Sequence, residues 1–260
     1  MAARLSIRTI NGRLARAHQP SDVRLHLALP KRLLGAVIVI AVCLLALLAP
    51  QIVPGDPSRI DARARLEAPS LEHPFGTDAF GRDLFRRVVH GAQPSLGVSV
   101  FAVVLGAVPG ILLGMFAGRT GRWIDHLMTQ VMDAWIALPG VLLALLLAAV
   151  LGRPLVVLTL ALGIGTIPMF FRVARTETLR IRSELYVEAA VSLGADSWRI
   201  TRAHVLPNIA SSMIVLCTVM IGRMLLATSA LSFIGLGAPP PSPEWGGLLA
   251  EGRAHMHEAW

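Results

Sequence analysis

The sequence predicts an all-α fold, a polytopic bundle of membrane-crossing helices, on three observations. Apolar residues make up 54% of the 260, and mean hydropathy is +0.64. Charged residues are only 15%, against about 25% in soluble domains. Uncharged runs recur at lengths close to the roughly 20 apolar residues that cross a bilayer.

Taken in order, those runs predict five spans: 33–53, 95–118, 134–152, 154–171 and 205–243, the last interrupted only by Arg223. The third is expected to begin before Asp133, because Trp123–Ile136 has helical apolar spacing, and Pro139 is expected to kink it rather than end it. Between the first two spans, Pro74 and Gly76 predict a turn and Thr77 or Asp78 a helix cap. The residues that follow read as an interfacial helix. Leu84, Phe85, Val88 and Val89 form its apolar face, and Arg82, Asp83, Arg86 and Arg87 its polar face. Glycines and prolines after Phe233 predict a folded loop, with Trp245 suited to a membrane interface.

Charge orients the bundle. Residues 1–32 carry seven basic residues against the single acid Asp22, the 119–122 link carries two arginines, and 172–202 carries six. Loop 54–94 balances six arginines with six acids. The positive-inside rule therefore places the N-terminus, the short link and the 172–207 segment in the cytoplasm, with 54–94 and 235–260 outside. This topology accounts for the net charge of +8 better than nucleic-acid binding does, since the chain has one tyrosine and no aromatic stacking platform. The first apolar run is too long for a signal-peptide core.

No catalytic pattern is present: no P-loop, HExxH or GxSxG. Cys43 and Cys217 fall within spans and read as small apolar residues. The pair His255 and His257 reads as solvated tail, so no metal is assigned. The methionines Met128, Met132, Met213, Met220 and Met224 read as packing residues.

Three motifs carry a resemblance. The first is a polar hinge of twenty residues, Glu188 to Pro207, containing Glu188-Ala189-Ala190, Gly194 and Leu206-Pro207. It reads as a helix that stops at a glycine, restarts, and meets a proline at the membrane border. The second is His73-Pro74-Phe75-Gly76-Thr77-Asp78 with Gly81-Arg82-Asp83. The third is Leu231-Ser232-Phe233-Ile234-Gly235-Leu236-Gly237 followed by Pro243-Glu244-Trp245-Gly246. Together they resemble the C-type permease subunit of the dipeptide/oligopeptide/nickel ABC importer family, over roughly residues 33–260.

The resemblance implies a cytoplasmic N-terminal segment 1–32 and a permease domain 33–260 in the bacterial cytoplasmic membrane. It implies that this chain is one half of a pathway for di- or oligopeptides. The implied partners are a second permease subunit, two ATPase subunits and an extracytoplasmic substrate-binding protein. ATP and magnesium would sit on the ATPase subunits, with no cofactor on this chain. Glu188, Ala189, Ala190, Gly194, Leu206 and Pro207 would form the ATPase-coupling loop within 172–207. A nickel or metal-complex importer shares the motifs. An intramembrane enzyme lacks a nucleophile–base pair here, and a channel lacks a filter motif.

The departures from the family are also informative. His204 stands where isoleucine is usual, Ala227 replaces a frequent acid, and a sixth span is expected beyond Trp260. Arg223, as an intramembrane charge, is expected to face the bundle interior or a wet cavity with a partner, and is a candidate pathway residue. Asp133 is expected to pair with an arginine at the cytoplasmic border.

Overall fold

The computed structural model describes residues 22–137, 140–151 and 155–258. The helices among them are α1 (Asp22–Ile52), α2 (Leu84–Arg119), α3 (Arg122–Ile136), α4 (Gly140–Leu151), α5 (Leu155–Arg182), α6 (Leu185–Ser192), α7 (Ser197–Ile200), α8 (Leu206–Phe233) and α9 (Trp245–Ala254). One 3-10 turn lies at Ala62–Ala64, and one π turn joins α7 to α8. The residues up to Leu45 and those from Ala46 onward form two compact units. The first contains most of α1; the second contains α2 to α9 and the loop before α2.

Among the described residues, four helical stretches are long and apolar enough to cross a membrane: Leu34–Ile52, Leu84–Arg119, Val156–Arg182 and Ser197–Phe233. Over the expected third span the described helices are Arg122–Ile136 and Gly140–Leu151, and Pro139, where a kink was expected, lies outside the described residues. Alone, the 12 residues of α4 reach only about 18 Å. The interfacial helix is not separate, because α2 runs unbroken for 36 residues through Pro94 and Pro109. At 1.5 Å per residue that is about 54 Å, so α2 is much longer than the bilayer core is thick. The last span closes at Phe233, where the glycines were expected to end it, because Gly235 takes φ +84°.

The core of the second unit is α2 against α5. Gly106, Gly110, Gly114 and Gly118 recur every four residues and so form one face of α2. The helices approach backbone to backbone there. A Cβ on Gly110 would sit 2.6 Å from the Phe170 Cβ, and one on Gly114 would sit 2.5 Å from the Phe171 carbonyl. Between membrane helices, where water supplies no driving force, such close van der Waals contact is the main attraction. The sequence reading missed this run, although its spacing was visible. α8 closes the bundle through Met213, Met220 and Met224, which are buried as expected, and Met132 is buried against Phe171 and Ala117.

Candidate coupling surface

The segment after α5 folds as a compact elbow. α6 ends at Ser192, with Leu193 as its cap residue and Gly194 beyond it at φ +88°. Ala195 N–H donates to the Ala190 carbonyl (3.0 Å) and Gly194 N–H to the Val191 carbonyl (2.9 Å). This is the paired 6→1 and 5→2 arrangement of a glycine-terminated helix. The chain restarts at once, because the Asp196 carboxylate accepts from Arg199 N–H at 3.0 Å and caps α7.

From Ser197 the helix then runs unbroken into α8, so Leu206-Pro207 is not a boundary. Proline removes one N–H and crowds the carbonyl four residues back. The π turn Thr201–Val205 stands immediately before it, and the Leu206 N–H reaches the Thr201 carbonyl.

Packing decides which face is available. Val187, Ile200, Val205 and Ile209 are buried with Ile181, Ala174, Met115 and Met213, which pins α6 and α7 to the C-terminal ends of α2 and α5 and the N-terminal end of α8. The opposite face is not the polar hinge the sequence suggested. Leu185, Leu193 and Trp198 are 82%, 90% and 63% exposed, and Tyr186 and Val191 are exposed beside them. Such a cluster on a surface marks an interaction site. The signal was present: α6 carries apolar residues on both faces, more than one buried stripe needs.

Of the expected coupling residues, Glu188, Ala189 and Gly194 are exposed on the elbow, and Ala190 is half-buried. Leu206 and Pro207 are exposed at the foot of α8. The elbow is tied further by Asn208, whose Nδ2 donates to the His204 carbonyl at 2.6 Å, and by the Tyr186 and His204 rings 5.7 Å apart.

Two ion pairs brace α3 against α5. Arg172 Nη2 donates to Asp133 Oδ1 at 2.7 Å, the pairing expected for Asp133, and Arg175 Nη2 donates to Asp125 Oδ2 at 2.6 Å. Arg223 is exposed on α8, on the side shared with Val215, Val219 and Leu226, and makes no ion pair with a described residue. Helical spacing places it there, and the buried side of α8 is taken up by Met220 and Met224.

The opposite end of the unit is built from charge. Asp83, not Thr77 or Asp78, caps α2, accepting from Arg86 N–H at 2.9 Å. Arg82 and Arg87 were expected on a polar face but are 3% and 1% exposed. Arg87 Nη1 and Arg82 Nε each donate to Asp78 Oδ2 at 2.6 Å, and both arginines also reach Glu251 of α9. Burial pushes the Asp78 carboxyl up, but the backbone N–H groups of Arg82 and Phe80 and the Arg82 guanidinium outweigh it, holding the group below its ordinary 3.8. Trp245 is tied to α2: its Nε1 donates to the Val88 carbonyl at 2.9 Å and its backbone N–H to Ser95 Oγ at 3.1 Å. α9 is thereby fastened onto α2.

Comparison with known proteins agrees with this architecture. The sequence pattern of a family described as binding-protein-dependent transport system inner membrane component matches residues 110–255. The dipeptide transport system permease protein of Alkalihalophilus pseudofirmus is 39% identical over 227 residues, covering 87% of this chain and 75% of that protein. A putative peptide transport system permease protein of Brucella suis is 41% identical over 227 residues, 87% of this chain and 76% of that one. The glutathione transport system permease protein of Escherichia coli is 42% identical over 223 residues, 85% of this chain and 74% of that one.

Proposed function

Since the chain belongs to the family of binding-protein-dependent transport system inner membrane components, a multipass transport permease and not an enzyme, we propose that it forms half of the pathway of an ATP-driven importer of di- or oligopeptides. The observation that carries this reading is the elbow. It is a pre-formed helical knob, closed by the Gly194 cap and the Asp196 cap and held by a small apolar core, with Leu185, Leu193 and Trp198 left uncovered. A surface of that kind suits a cleft on an ATPase subunit, which would hold the ATP and magnesium. Motion there is carried into α5 and α8 as rigid bodies, because both helices run continuously from membrane to elbow.

The peptide class rests on relatives whose names specify dipeptide, peptide and glutathione transport. It is also supported by Arg223, a guanidinium on the uncovered face of α8 suited to a carboxylate rather than a bare metal cation. A second permease would cover that face, a binding protein would deliver substrate from outside, and the N-terminus would lie in the cytoplasm of a bacterial inner membrane.

Reconstitution tests the reading. The purified chain alone is expected to bind no ATP. Assembled with a second permease, two ATPase subunits and the binding protein, it is expected to drive dipeptide uptake, and Arg223→Ala is expected to lower uptake with assembly intact. Nucleotide binding by the isolated chain, or uptake of divalent nickel but no peptide, would overturn it.

A further inference from the structure

A cavity of about 810 Å³ lies at the end opposite the elbow, between residues 66–84 and α9. Its walls are apolar, supplied by Leu66, Phe75, Phe80, Leu84 and Leu248. Phe75 and Phe80 are 53% and 55% exposed. On the orientation proposed above they face water, where large uncovered aromatic rings are unfavourable unless something covers them. Every formally charged residue lining the cavity is an acid: Glu67, Asp78, Glu251 and Glu258.

The acids divide into two sets. Asp78 and Glu251 are neutralised from behind by the buried Arg82 and Arg87. Glu67 makes no ion pair with a described residue, and Glu258 has only His255, at 3.3 Å. Both remain exposed at the rim. The cavity is also rigid before anything enters. Phe75 packs edge-on against Phe85 with centroids 5.2 Å apart, and Arg82 lies 4.7 Å over the Phe80 ring. Backbone hydrogen bonds from Thr77 to Glu67 and from Leu66 to Asp78 close the loop behind them. A pre-formed apolar cavity with an acidic rim and no arginine among its lining residues selects an apolar side chain flanked by cations.

We propose that this cavity is the seat of a basic, apolar-tipped segment of the extracytoplasmic binding protein. Glu67 and Glu258 meet the cations, and Phe75, Phe80 and Leu248 hold the tip. The inference rests on the importer reading and adds to it where on this chain the binding protein anchors and by what chemistry. Glu67 makes no ion pair with a described residue and Glu258 reaches only His255 in its own turn, so reversing both leaves the walls in place.

The test uses the assembled importer in nanodiscs with the purified binding protein that stimulates its ATP hydrolysis. The double variant Glu67→Lys with Glu258→Lys is expected to weaken binding at least about tenfold at low salt. It is also expected to flatten the salt dependence that wild type shows, because screening acts only where the charges attract. A photo-crosslinker on Phe80→Cys, with Cys43 and Cys217 replaced, is expected to capture the binding protein. Equal binding by wild type and double variant overturns the inference, as does capture of the second permease or of this chain itself. A wild-type complex that no binding protein engages or stimulates would instead overturn the importer reading.

Discussion

The two ends of the bundle present opposite chemistry. At one end, the loop before α2 and helix α9 are joined by buried charge: Asp78, Arg82, Arg87 and Glu251 converge, and Glu244 accepts from Ser232 Oγ at 2.7 Å and Ala238 N–H at 2.9 Å. At the other end, the elbow rests on aliphatic residues, chiefly Val187, Ile200, Val205 and Ile209, and turns further aliphatic and aromatic residues outward. The difference separates two tasks. A buried ionic cluster is satisfied in one geometry only, so it fixes register within the chain. An apolar contact tolerates small displacement and takes whichever apolar partner is offered. The first end is held in place by its own charges, and the second by apolar contact that leaves a face uncovered.

Breaking the charged end has the largest expected effect. Arg87→Ala leaves Asp78 and Glu251 short of a cation in a buried site, a loss of about 3–5 kcal/mol. The expected outcome is release of α9 from α2, read as proteolytic cleavage after Phe233 or as a lowered unfolding temperature in detergent. Acid gives a graded version of the same loss. The Asp78 carboxyl is lowered in the folded chain, so its contribution is complete above the ordinary value of 3.8 and declines as pH falls below it. An Arg82→Ala variant, which removes the guanidinium that helps hold the Asp78 carboxyl down, is expected to shrink that acid step. An unchanged step in the variant would show that the acid sensitivity lies elsewhere.

The comparison also explains what the sequence disclosed. Fold class was legible because a helix that must cross hydrocarbon needs a long uncharged run, and those runs are plain from Leu34 to Phe233. The Gly194 stop was legible because a single residue type suits a left-handed cap. Arg82 and Arg87 were misplaced because periodicity assigns charge to solvent, whereas here α9, more than 150 residues later, brings Glu251 to cover them. Such long-range pairing has no local signature. The outward apolar face of the elbow was missed for the converse reason, since a mixed segment between two very apolar spans looks polar by contrast. The Gly106 to Gly118 run has no mark in span length or hydropathy, since glycine spacing reports only on the helix that packs against it.

Disturbing the elbow cap is expected to cost less in stability and more in coordination. At Gly194, space is not the obstacle, since a Cβ would meet nothing within 4 Å. The φ of +88° is one that a β-branched residue does not adopt without strain. Gly194→Val is therefore expected to cost about 1–3 kcal/mol locally, leave membrane insertion and assembly intact, and uncouple ATP hydrolysis from uptake. Gly194→Asn, which tolerates the left-handed region better, is expected to restore much of the coupling. Equal defects in the two variants would assign the position to direct contact rather than to the cap.

The smallest expected effect on stability is at Trp198, and it divides the two ends most sharply. Trp198 is 63% exposed on the four-residue α7, outside the small core that holds the elbow in place. Truncating a side chain with so few internal neighbours changes stability by no more than about 0.5 kcal/mol. If the outward face is the docking surface, the same ring is a candidate anchor, and losing an aromatic anchor costs an interface about 2 kcal/mol or more. Trp198→Ser is therefore expected to leave the unfolding temperature unchanged and to weaken retention of the ATPase subunits roughly thirtyfold, as about 2 kcal/mol implies. Leu193→Ser is expected to act in the same direction and more weakly. Measured beside Arg87→Ala, the pair gives a double dissociation: one variant loses fold and keeps its partner while folded, the other keeps fold and loses its partner. Normal ATPase retention in Trp198→Ser would move the docking contact off α7 and onto Leu185 and Leu193 of the neighbouring turn.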